Sequence, residues 1–170
     1  ASGDTLIVPL LQIGQLAITQ ETDMIPILTQ YLSALSPRAL GPTSARPYTT
    51  VDLTSGYFTL SGLFKSLVLS DAIHRHSQAP VFFRLVAASP EANGFYGSQG
   101  LSGRIPAAYT LLEKLFWNCV VDKQLHAPVH SYVDASDPVS EGPLAPVELR
   151  EWSKHGWTYH EKGLWITGPS

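Results

Sequence analysis

The 170-residue chain predicts one α/β domain built on a mixed sheet flanked by helices. Three observations carry that expectation. Val81-Phe-Phe-Arg-Leu-Val-Ala-Ala88 is a nearly continuous apolar run, the pattern of a strand covered on both faces. Apolar residues recur at helical spacing over 24–35 and again over 105–120. Strand-like and helix-like segments then alternate along the chain and end in two strand-like segments.

In order, Leu6-Ile-Val-Pro-Leu-Leu11 reads as a short strand, with Pro9 suggesting an edge or a bulge. Thr22 or Asp23 caps an expected helix to about Leu35, with Met24, Ile27, Leu28, Tyr31, Leu32 and Leu35 at helical spacing. Three prolines and a glycine make 36–47 a loop. Tyr48 to Tyr57 alternates as a strand, Val51 and Leu53 against Asp52 and Thr54. Ser61 caps a second helix whose apolar face is Phe64, Leu67 and Val68. After the Val81 strand, Pro106 suits the first turn of a third helix, where its missing N–H costs little. Its expected buried stripe is Ile105, Ala108, Tyr109, Leu112, Phe116, Cys119 and Val120. Residues 127–146 hold four prolines with Asp, Ser and Gly, and read as an irregular, flexible insertion. Val147–Trp152 and Trp157–Ile166 are the closing strands.

Composition narrows the function classes. With 44% hydrophobic and 15% charged residues the chain suits a packed interior rather than a disordered tail. A net charge of −3 argues against a nucleic-acid partner. The lone Cys119 allows neither an intrachain disulfide nor a cysteine zinc site, and within a helix it reads as a small buried hydrophobe. No run of 18 apolar residues is present, so no membrane-spanning helix is expected. Neither a metal nor another cofactor is expected. The opening residues resemble the inside of a domain, so any targeting segment is expected to precede them.

The segment with most chemistry is Trp157-Thr-Tyr-His-Glu-Lys-Gly-Leu-Trp165. Residues two apart on a strand share a face, so His160 and Lys162 would project together while Tyr159, Glu161 and Gly163 face away. An imidazole can attack phosphorus or pass a proton, and an ammonium can hold a phosphate oxygen. An isolated His-x-Lys also occurs as an ordinary surface pair. Glu161 suits a structural ion pair, and His74 and His76 suit a solvated helix end. Trp117, Trp152, Trp157 and Trp165 divide between core packing and a lipid interface. The loop Asn93–Gly103, glycine-rich and followed by a helix, reads either as a phosphate cradle or as turns needing φ > 0. It holds no GxGxxG dinucleotide fingerprint.

Three longer segments, TSGYFTLS from Thr54, ASPEANGFYGSQGLSGRIPAAY from Ala88 and GWTYHEKGLW from Gly156, occur in this order. Together with LIVPLLQIGQLAITQETDMIPIL at the start, they resemble the C-terminal half of the mitochondrial CDP-diacylglycerol–glycerol-3-phosphate phosphatidyltransferase family, in the phospholipase D superfamily. The resemblance covers most of residues 5–166. It implies a phospholipase D-like half-domain, with His160 and Lys162 as catalytic residues and Asn93, Gly94, Gly97 and Ser98 contacting substrate. It implies CDP-diacylglycerol as donor, glycerol 3-phosphate as acceptor and a phosphohistidine intermediate, without metal. It implies peripheral attachment to the matrix face of the mitochondrial inner membrane.

Members of that superfamily face two His-x-Lys motifs across a pseudo-dyad, and this sequence has one. The superfamily's usual Asp seven residues after the histidine is Thr167 here. The resemblance therefore implies a half-site, with an N-terminal half-domain expected before Ala1 and His160 in the acid/base role. A hydrolase of the same superfamily, phospholipase or nuclease, and a noncatalytic binding domain remain alternatives.

Overall fold

A computed structural model describes residues 9, 12–20, 23–28, 48–60, 62–70, 81–126 and 145–168. Its centre is a four-stranded mixed sheet. β3 (Thr49–Ser55) and β4 (Val81–Ala88) run parallel, with Val51 opposite Phe83 and Leu53 opposite Leu85. β5 (Val147–Trp152) joins β4 in parallel, and β6 (Lys162–Thr167) closes the other edge antiparallel to β3. Residues 23–28 are helical. A small antiparallel pair precedes them, β1 (Gln12–Ile13) with β2 (Ile18–Thr19). Sequence periodicity gave no sign of this pair, because two-residue strands carry no alternation to read.

Strand alternation sorts the sheet into two faces. One carries Val51, Leu53, Phe83, Leu85, Val147, Leu149, Leu164 and Ile166, and it receives the helices. Helix α1 (Gly62–Val68) contributes Phe64, Leu67 and Val68, as its apolar spacing predicts. Helix α2 (Ile105–Asp122) contributes Tyr109, Phe116 and Val120. Val51, Phe83 and Val120 are wholly buried, which marks the centre of the core. Each fully buried side chain of this size is worth about 1.5–3 kcal/mol.

The opposite face is more polar than the Val81 run suggests. Asp52 and Arg84 form a bidentate ion pair across β3 and β4, with Arg84 Nη2 2.8 Å from Asp52 Oδ2. Trp165 lies in the same row of the sheet and is 53% exposed. Both ends of this face are covered: Ala92 and Tyr159 pack on Ala88, Val86 and Trp152 at one, and at the other Phe82 is buried, with the Tyr48 ring against it. The described helices pack on the first face, and midway along the second the Arg84 charge is neutralised by Asp52.

The third helix carries Pro106 in its first turn as expected, but its buried stripe differs in part. Pro106, Glu113, Phe116 and Val120 are buried, while Ala108 and Leu112 are exposed together with Leu111 and Leu115. Apolar residues occupy most of this helix's circumference, so spacing alone could not choose the face that meets the sheet. Cys119 sits half-buried against the core as a small hydrophobe, its thiol donating to the Leu115 carbonyl. The expected strand at 6–11, apart from Pro9, lies outside the described residues. So do the loop at 36–47, His74 and His76, and the insertion from 127 to 144.

The last strand starts later than alternation predicts, at Lys162 rather than Trp157. β3 ends at Ser55, the register partner of Lys162, so the preceding residues have no strand to pair with. They bond to loops instead: the Tyr159 N–H donates to the Ala92 carbonyl at 2.8 Å, and the Gly56 N–H to the Glu161 carbonyl at 3.1 Å. Gly56 is required here, since a methyl on its Cα would overlap the Tyr159 carbonyl oxygen.

Candidate active site

His160 and Lys162 lie at the end of the sheet where the parallel strands β3 and β4 finish, the edge at which open α/β sheets bind ligands. His160 belongs to the irregular stretch before β6, not to a strand, so strand alternation is not what aligns it with Lys162. Both side chains are nevertheless brought to one ring. The His160 imidazole meets Tyr57 edge-on, with centroids 5.5 Å apart and planes at 78°. The Lys162 ammonium lies 5.5 Å from the centroid of the same ring, within cation–π range. Both residues are exposed, as is Glu161 between them. Tyr159, by contrast, turns to the other side and stacks on Trp152 at 5.1 Å.

Tyr57 was not singled out from sequence as a site residue. Its only signal was its place in the TSGYFTLS segment, where it read as the end of a strand. In the structure it is half-buried among Tyr109 at 5.4 Å and Phe95 at 6.1 Å. Phe95 belongs to the loop that follows β4, so Tyr57 joins that loop to His160 and Lys162.

The loop itself is a series of turns closed by its own groups. Ser89 Oγ accepts from the Ala92 N–H, and Asn93 Oδ1 accepts from the Phe95 N–H at 3.0 Å. The Tyr96 N–H donates to the Asn93 carbonyl and the Ser98 N–H to the Phe95 carbonyl. Gly97 and Gly100 adopt φ of 74° and 67°, where glycine is favoured. Four residues were expected to touch substrate, and the structure separates them. Asn93 is buried and fastens the turn. Gly94 lies beside the Tyr57 hydroxyl, close enough that an added methyl would sit 3.5 Å from it. Gly97 and Ser98 are exposed, and the Ser98 N–H is already engaged. The N–H groups of Asn93, Phe95, Tyr96 and Ser98 are therefore not free to cradle an anion.

A second ionisable feature was missed altogether. Glu113 of α2 is buried, and burial, then the neighbouring Glu151 carboxylate, pushes its carboxyl up to about 7. Glu151 occupies the same cross-strand row as Ala87, Ser55 and Lys162. Its place at helical spacing between Tyr109 and Phe116 of the expected buried stripe is the available signal. Among the described residues no three His, Cys, Asp or Glu side chains converge as a metal site, and no helix is long and apolar enough to cross a membrane.

No protein-family model matches the chain. Among curated proteins, the chain is 32% identical over 163 residues to the mitochondrial CDP-diacylglycerol–glycerol-3-phosphate 3-phosphatidyltransferase of Mus musculus, which covers 96% of this chain and 22% of that protein. The chicken protein of that name (Gallus gallus) is 33% identical over 126 residues, covering 73% of this chain and 18% of its own length. The Saccharomyces cerevisiae transferase is 33% identical over 121 residues, 67% of this chain and 18% of that protein. Among solved structures, a phosphatidylserine synthase of Haemophilus influenzae superposes with a TM-score of 0.50 at 15% identity, over 74% of this chain and 23% of that one. This likeness supports the fold, a mixed α/β sheet with helices. The chain belongs to the family of CDP-diacylglycerol–glycerol-3-phosphate 3-phosphatidyltransferases and spans about a fifth of the length of the relatives it matches.

Proposed function

We propose that the chain is the C-terminal catalytic half-domain of a transferase that moves a phosphatidyl group from CDP-diacylglycerol to the hydroxyl of sn-glycerol 3-phosphate, releasing CMP. The observation that carries this reading is the meeting of His160 and Lys162 at one aromatic ring, on the ligand-binding edge of a sheet that aligns with these transferases.

The chemistry follows from charge. A phosphodiester anion repels an incoming nucleophile, so fixed positive charge beside its nonbridging oxygens favours the transition state. Lys162 supplies that charge from this half. In-line displacement needs a nucleophile and an acid on opposite sides of phosphorus, and one imidazole cannot occupy both places. A histidine of the N-terminal half-domain therefore attacks phosphorus, the P–O bond to CMP breaks, and His160 gives the departing phosphate its proton. His160 then takes the proton of the glycerol hydroxyl as it displaces the phosphohistidine. No cofactor is involved in this scheme, and nucleic acid is not a substrate.

The family reading also includes the mitochondrion, since relatives in animals carry that location in their names. The finer location is the matrix face of the inner membrane, held peripherally. Exposed apolar side chains after β4 and before β6, Tyr96, Leu101 and Trp157, suit contact with a two-chain lipid donor. The test is turnover by the full-length protein with CDP-diacylglycerol and glycerol 3-phosphate, following CMP and lipid product separately. Equal formation of both is expected. CMP release with phosphatidic acid as the lipid product would make the enzyme a hydrolase instead.

A further inference from the structure

Ser55 and Lys162 are the last register partners of β3 and β6; beyond them the Gly56 N–H donates to the Glu161 carbonyl, and the Tyr57 ring meets the His160 imidazole. Ser55 pins the turn: its hydroxyl donates to the Tyr57 carbonyl at 2.7 Å and accepts from the Tyr57 N–H at 3.2 Å. The tyrosine ring is thus the common neighbour of the imidazole and the ammonium, each 5.5 Å from its centroid. Tyr109 and Phe95 support it on other sides, so its position is set by packing rather than by the two exposed groups it touches.

We propose that Tyr57 is a positioning residue for phosphatidyl transfer: the electron-rich ring holds the Lys162 ammonium by cation–π attraction while its contact with the imidazole fixes the aim of His160. An exposed lysine on a four-carbon stem samples many rotamers, and a preset direction removes that freedom before substrate arrives. The ring also packs against Phe95, which makes the loop after β4 part of the same support. This inference rests on the transferase reading of His160 and Lys162.

The discriminating feature is the ring's charge distribution, not its size. In the full-length enzyme Tyr57→Phe keeps the ring face and is expected to retain kcat within about threefold, as cation–π attraction needs no hydroxyl. Replacing position 57 by mono-, di- and trifluorophenylalanine then weakens the ring quadrupole at nearly constant shape. The expected result is a stepwise fall in kcat, roughly 3- to 30-fold across the series, with KM for CDP-diacylglycerol nearly unchanged. A residue that only packs would give a flat series. A flat series in an enzyme that His160→Ala silences overturns the role of Tyr57 and leaves the transferase reading standing. A flat series in an enzyme indifferent to His160→Ala overturns both.

Discussion

The paired strands β3 and β4 and the Tyr159–Lys162 passage lie next to each other and are built on opposite plans. In the strands, each residue is held by a ladder, and Val51, Phe83 and Leu85 are buried almost completely. In the passage, two backbone hydrogen bonds and the close approach of Gly56 fix the chain, and His160 and Lys162 stay exposed. The difference separates stability from chemistry. Substitutions in the ladder should unfold the domain, whereas those in the passage should disarm it while it stays folded.

Phe83→Ala should break the first half of that contrast. It removes a wholly buried ring from the centre of the core and should cost about 3–5 kcal/mol. Chemical denaturation of the full-length protein would read this as a lower midpoint of the transition involving this domain; an unchanged midpoint would place the core elsewhere. Gly56→Ala probes the boundary between the two regions. Its methyl must displace the Tyr159 carbonyl, so a loss of about 1–3 kcal/mol is expected together with reduced turnover. Full activity in this variant would show that the passage need not touch β3 to work.

Glu113 gives the smallest effect and the clearest sign. Burial and the Glu151 carboxylate raise its folded carboxyl from the ordinary 4.5 to about 7, so the folded state holds an extra proton between those values. The stability contributed by the protonated Glu113–Glu151 contact is complete below pH 4.5 and is lost as pH rises through about 7. Glu113→Gln should flatten that decline and leave the variant on the order of 1–2 kcal/mol more stable than wild type at pH 8, relative to their difference at pH 4.5. Parallel curves of melting temperature against pH for the two proteins would contradict the assignment.

What the sequence could convey follows the same division. The Val81 strand and the start of α2 were legible to the residue, because continuous apolarity and a proline at a first turn are local signals. The face α2 buries was not, since Leu111, Leu112 and Leu115 compete with Tyr109, Phe116 and Val120 for the sheet and only the tertiary arrangement decides. His160 and Lys162 were found as a motif, but the alternation used to align them does not apply to an irregular stretch. Their common neighbour Tyr57 lies about a hundred residues away in the chain, and no local pattern announces such a contact. The glycines of the loop after β4 were visible. The use of its N–H groups for internal turns depends on carbonyl directions that composition does not encode.

His160, in the proposed mechanism, is an acid and base that contributes chemistry without holding the fold. The measurement that tests it most directly compares full-length wild type with His160→Ala, recording lipid product formation and melting temperature on the same preparations. The predicted result is a turnover lower by about 10²–10⁴-fold, the range supplied by one general acid or base, with the melting temperature unchanged. Turnover near that of the wild type would contradict the account.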